Sequence, residues 1–137
     1  MKLTTKGRYG LAVVIMLNKK KGQSISLLSI SSSLDISKLY LEQILAVLKS
    51  HQIVLSIKGP TGGYYIKPGS HFTVYDILTV LEPNLTQATN PIEHKMLAKI
   101  LEEKVYQPLS RSVQSCLNSI SIDELSTLLS EEPMYYI

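Results

Sequence analysis

The chain holds one cysteine, Cys116, among its 137 residues. A lone thiol cannot close an intramolecular disulfide or build a cysteine-based metal site within one chain, and this usage fits a reducing cytosol. Charge is also scarce, at 18% Asp, Glu, Lys and Arg against about a quarter in ordinary domains. With 45% apolar residues the composition is globular, with more apolar surface than one copy readily hides, so self-association is expected. No apolar run approaches the roughly 20 residues that span a bilayer, and no membrane partner is expected. The basic "MKLTTKGRYG" followed by "LAVVIML" has the outline of a secretory leader. Its apolar segment is at the lower length limit and no small-residue cleavage site follows, so it is read as a helix of a cytoplasmic protein. GxSxG, a paired-histidine metal motif and any familiar Cys–His spacing are all missing, so no enzyme is expected. His51, His71 and His94 are far apart and read as surface or helix-end residues, not metal ligands.

What is present is an uneven charge distribution. Residues 1–67 carry ten Lys/Arg against Asp35 and Glu42, a net of +8; residues 68–137 carry four against nine acidic residues, a net of −5. A strongly basic half attracts a polyanion, above all nucleic acid.

Apolar periodicity places helices in that basic half. The first runs from Thr4 or Thr5 to about Lys20, with Thr5 as cap, Leu11, Val14, Ile15 and Leu17 as its stripe, three lysines at its negative end and Gly22 closing it. A second spans about Leu27 to Leu34 behind Ser26. "LDIS" turns the chain, and Ser37 caps a third, "KLYLEQILAVLKS", whose Leu41, Ile44, Leu45 and Leu48 face the core. Two short helices around a tight turn, the second with polar residues in its first turns, form a helix-turn-helix, suited to a DNA major groove.

"KGPTGGYY", Lys58 to Tyr65, follows. A nucleotide phosphate loop needs a helix after it and a closing Gly-Lys-Ser/Thr. Here strand-like "IVLSI" precedes, strand-like "YYIKP" follows and the closing motif is missing, so the reading is a hairpin. A hairpin after a helix-turn-helix is a wing, thinned by its glycines, with Lys58 as its natural phosphate or minor-groove contact; the alternative is that the glycines only make a turn. "FTVYDILTVLEP" is a helix capped by Thr73 and ended by Pro83, and "NLTQATNP" is a polar loop. A helical stretch from about Ile92 to Leu117 carries Met96, Leu97, Ile100, Leu101, Val105, Leu109, Val113, Cys116 and Leu117 on its apolar positions, and Pro108 must kink it or end a segment. Its simplest partner is its own copy. "SIDE" at Ser121–Glu124 is a capping box opening a last helix, Ile122 to about Ser130. The expected fold is mostly α with a small β-hairpin wing. A winged helix-turn-helix domain covers 1–83, with the helix-turn-helix at about 26–50, the wing at 53–67 and a helix at 73–82. Residues 84–137 hold a linker, a long dimerisation helix and a short C-terminal helix.

"MKLTTKGRYGL", "LYLEQIL", "IKGPTGGYYI", "YDILTVLE" and "NSISIDEL" together resemble the Rrf2-type bacterial winged-helix transcription regulators, in the same order over nearly the whole chain. The resemblance implies a homodimer on a near-palindromic double-stranded operator. It implies recognition-helix contacts from Ser37, Tyr40, Glu42 and Gln43, a wing contact from Lys58 and backbone contacts from Lys6 and Tyr9; Lys38 and Arg8, as phosphate-contact types, and Gly59, Thr61, Gly62 and Gly63 of the wing join them as candidates. The dimer element falls on Met96, Leu97, Ile100, Leu101, Val105, Leu109, Val113 and Cys116. Cluster-binding members carry three close cysteines in the segment that here reads "PNLTQATNPIEHKML". None stands there, and His94 alone cannot replace them. No iron–sulfur cluster or other cofactor is therefore expected, and the chain looks most like the cluster-free, cysteine-metabolism branch, a repressor.

Gln43 is suited to adenine and Glu42 to cytosine N4, unless Glu42 is spent on a surface ion pair. Tyr40 either meets a phosphate or thymine methyl or packs beneath its helix; Arg8 either meets phosphate or pairs with an internal acid. Cys116 reads as a small buried hydrophobe, with redox sensing as the alternative. The signal is left open between Cys116 oxidation, a co-regulating enzyme and a metabolite between the winged domain and the long helix. The rival to DNA is an acidic protein partner on the basic face.

Overall fold

The computed structural model describes residues 2–85 and 92–129. In order these form α1 (Thr5–Lys19), α2 (Leu27–Leu34), α3 (Lys38–Ser50), β1 (Leu55–Ile57), β2 (Gly63–Tyr65), α4 (Val74–Leu81), α5 (Lys95–Leu101), a π-helical segment (Glu102–Tyr106), α6 (Gln107–Asn118) and α7 (Ile122–Leu128). The architecture is the expected one, mostly helical with one two-stranded hairpin.

Caps set the short helices. Ser26 Oγ accepts from Ser29 N at 3.1 Å, and Ser37 Oγ accepts from Tyr40 N at 3.1 Å. α2 ends where Asp35 takes the left-handed conformation, φ 53°. Thr73 and Asp76 form a full capping box on α4. The cap of α1 is Thr4, not Thr5: its Oγ1 accepts from Gly7 N at 3.0 Å. Thr4 wins because Glu82 holds it, Oε1 accepting from both Thr4 N and Thr4 Oγ1 at 2.7 Å. A Cβ on Gly7 would collide with that carboxylate. Gly22 does not cap α1, which closes at Lys20. With φ +86° it turns the chain so that its N–H donates to Ile66 O at 2.8 Å.

The core is one cluster. Leu41, Ile44, Leu45 and Leu48 are completely buried, as their spacing predicts. Each contributes about 1.5–3 kcal/mol over an exposed side chain. On α1 the buried set is Val13, Val14 and Leu17, while Leu11 and Ile15 are half-buried. The stripe is shifted because α1 is wedged among α3, α4 and α7. The run that mimics a leader is thus a core helix. Thr73 and Ser121 pair as an antiparallel bridge, with Val74 N donating to Ile120 O at 2.9 Å and Ile122 N to Phe72 O at 2.8 Å. This bridge seats α7 on α1 and buries Ile122 fully. Ser121 Oγ accepts from Glu124 N at 2.9 Å. The residue at 130, the expected end of this helix, lies outside the described residues, as does most of the polar loop, 86–91.

The long helix begins at Lys95 rather than Ile92 and runs to Asn118 without a break. Pro108 does not end the helical run, but the α-helix is interrupted by a π segment just ahead of it. A proline has no N–H and its ring crowds the carbonyl four residues back. The preceding turn widens to π, with Gln107 N donating to Glu102 O, and Pro108 falls in the first turn of the α-helix that resumes.

Candidate DNA-binding surface

α3 is two-faced. While its apolar side is sealed into the core, Ser37, Lys38, Glu42 and Gln43 are all exposed at its start. Glu42 makes no ion pair among the described residues. Tyr40 is different. It is half-buried against the core, and its ring meets Tyr9 edge to face at a centroid distance of 6.4 Å and an interplanar angle of 89°, a geometry that aromatic quadrupoles favour. The contact ties α3 to α1. The contact sets the first turns of α1, which carry Lys6, Arg8 and Tyr9, beside the start of α3. Arg8 is exposed and donates to Thr5 Oγ1 at 3.3 Å, and among the described residues it pairs with no acid; Lys6 and Tyr9 are half-buried.

The hairpin is antiparallel, with Leu55 opposite Tyr65, Ser56 opposite Tyr64 and Ile57 opposite Gly63. A third segment braces it: Ile25 N donates to Tyr64 O and Tyr64 N to Ile25 O, both at 2.9 Å, and Ser24 Oγ donates to Thr61 O at 3.2 Å. The wing is thereby fixed to the entrance of α2. Its glycines do more than turn the chain. Gly59 has φ +106°, a conformation that side chains disfavour. Gly63 lies so close to the Ile25 backbone that a Cβ would overlap Ile25 O. At the tip Lys58, Gly59 and Thr61 are exposed, with Gly62 and Gly63 half-covered. A groove of about 360 Å³ between the wing and the rest of the domain is lined by Lys58, Gly59, Gly62, Gly63, Ile57 and also by Lys49 from the last turn of α3. Folding brings Lys49 to the wing.

Met96, Leu97, Ile100, Val105 and Leu109 are between 47% and 64% exposed, Leu101 and Val113 are half-buried, and no residue of the helix from Lys95 to Asn118 is buried. Cys116 is exposed in the chain, not the buried hydrophobe its spacing suggests. Apolar side chains in such a row lose about 25 cal/mol per Å² while wetted.

The strongest electrostatic perturbation sits elsewhere. Asp123 Oδ1 accepts from Asn18 Nδ2 at 2.9 Å and from Lys21 Nζ at 3.0 Å, and Oδ2 lies 2.6 Å from His71 Nδ1. Hydrogen bonds from Asn18, then His71, then Lys21 hold its carboxyl well below the usual range. The cluster clips α7 to α1. His51 and His94 sit at helix ends, His94 Nδ1 accepting from Leu97 N at 3.2 Å. A cavity of about 580 Å³ opens between α1, α2 and Leu129.

Residues 3–127 match the family model Rrf2, described as an iron-dependent transcriptional regulator. The chain is 34% identical over 143 aligned residues to the HTH-type transcriptional regulator CymR of Bacillus subtilis (strain 168), covering 100% of each. It is 31% identical over 130 residues to the HTH-type transcriptional regulator IscR of Klebsiella pneumoniae (strain 342), covering 91% of this chain and 79% of that one. Among solved structures it is similar to CymR, the global cysteine regulator of B. subtilis, with a TM-score of 0.78 and 33% identity over 95% of this chain and 99% of that one.

The family description raises iron, and the donors here do not fit it. The single thiol is at the far end of α6, residues 84–97 contain no cysteine, and His94 is engaged as a helix cap. Among the described residues no three His, Cys, Asp or Glu side chains converge as a metal site.

Proposed function

The chain belongs to the Rrf2 family of transcriptional regulators, and from that premise we propose that it is a cytoplasmic homodimeric repressor that reads a near-palindromic operator without an iron–sulfur cluster. It is a regulator, not an enzyme. The observation that carries the reading is the two-faced α3, whose core side is fully buried while Lys38, Glu42 and Gln43 stand free at its start. A helix enters the major groove by its N-terminal residues. Gln43 reads adenine and Glu42 accepts from cytosine N4. Lys58, Lys49 and the α1 residues Lys6 and Arg8 meet phosphates, which position the protein without carrying sequence information.

The exposed apolar row on the helix from Lys95 to Asn118 supports pairing with a second copy about a two-fold axis. Such an axis doubles the reading surface and makes the operator near-palindromic. The likeness to CymR over the full length supports a role in cysteine or sulfur metabolism.

The test is recovery of bound fragments from a genomic pool, followed by affinity measurement at rising salt. A preferred palindromic site is expected. If each dimer neutralises six to ten phosphates, affinity falls by about 10³–10⁵ between roughly 50 and 200 mM salt. A flat salt response, or bulk DNA competition with no preferred site, refutes operator binding and favours an acidic protein on the basic face.

A further inference from the structure

Leu39 is the second residue of α3 and is 68% exposed, while Leu41, Ile44, Leu45 and Leu48 on the same helix are fully buried. It contributes nothing to the core. Scattered exposed leucines are ordinary on protein surfaces, but this one has particular neighbours. Residues three and four apart share a helix face, so Leu39, Glu42 and Gln43 form one exposed patch in the first turns. Lys38 flanks it. Tyr40, the other side chain able to offer apolar contact here, is half-buried and packs against Tyr9.

We infer that Leu39 is a specificity-determining residue that reads the C5-methyl of a thymine in each half-site. The inference rests on the DNA-binding reading above. In the major groove the thymine methyl is the apolar feature that distinguishes one base edge from the others. A leucine placed between a cation and two hydrogen-bonding side chains gains nothing from phosphates or polar base edges. It gains by covering a methyl, and it disfavours a polar edge whose hydrogen-bonding groups it would desolvate. With Gln43 on adenine and Glu42 facing cytosine N4, the patch then distinguishes a thymine from a cytosine at the position Leu39 covers.

The test uses the full chain and the operator recovered from the genomic pool. Each thymine of one half-site is replaced in turn by deoxyuridine, which keeps every hydrogen-bonding group and loses the methyl. For the wild type, one replacement is expected to weaken binding about fourfold, the effect of one methyl-sized burial. The Leu39→Ala protein, whose change lies on the surface, should keep its circular dichroism spectrum and lose sensitivity to that same replacement. Two results overturn the assignment while leaving operator binding intact: no deoxyuridine replacement matters to the wild type, or the penalty persists undiminished in Leu39→Ala. Failure to recover any operator overturns both readings.

Discussion

Replacing Asp123 with asparagine tests how α7 is fastened to α1. The carboxylate receives hydrogen bonds from Asn18 and Lys21 and lies against His71. Asn18 is itself 7% exposed and also donates to Ser126 Oγ at 3.0 Å. Buried hydrogen bonds to a charged group contribute about 1.5–3 kcal/mol, whereas exposed ion pairs contribute about 0–1 kcal/mol. The Asp123 side chain is 40% exposed, so solvent screening discounts the cluster as a whole to about 1–2 kcal/mol. For a chain of this size that corresponds to about 3–8 °C in melting temperature. The sign with pH follows from the depressed folded-state pKa. Folding favours the ionised form, so the stabilisation is complete above the unfolded carboxylate value of about 3.9. It is lost as pH falls from there through the lower folded value. Thermal melts of wild type and Asp123→Asn, at one protein concentration because a dimer's midpoint depends on it, should differ by a constant amount from pH 7 to pH 5, with the gap narrowing below about pH 4 and closing only as pH falls through the depressed folded value. Equal stability at neutral pH, or a gap that stays constant on acidification, refutes the argument.

Gln43→Ala is expected to lower discrimination at one base pair by about 1–3 kcal/mol, while Lys58→Ala weakens all duplexes alike and flattens the salt slope by about one; competition binding against single-base operator variants separates the two. Ile100→Glu should leave helix content unchanged, since the side chain is 47% exposed, yet give a monomer by sedimentation and lose at least about tenfold in operator affinity; an intact dimer refutes the assigned interface. Gly63→Ala forces its Cβ against Ile25 O and should cost about 1–3 kcal/mol by chemical denaturation, with loss of DNA binding exceeding the loss of stability.

Much of this protein follows from chemistry local in the chain. Ser26, Ser37 and Thr73 cap the residues three positions on, and the spacing of Leu41, Ile44, Leu45 and Leu48 gives one core face. The order of these elements, with a hairpin after the third helix, was enough to read the fold class, because helix bonds, caps and hairpin pairing link residues close in sequence. The tertiary structure alone decided what depends on distant partners. Thr4 rather than Thr5 caps α1 because Glu82 reaches it across 78 positions. Asp123 meets Asn18 across 105. Tyr40 packs edge to face on Tyr9, while its neighbour Leu39 stays 68% exposed. Periodicity marks which side of a helix is apolar; which of those side chains is covered is settled only when the faces of separate elements meet.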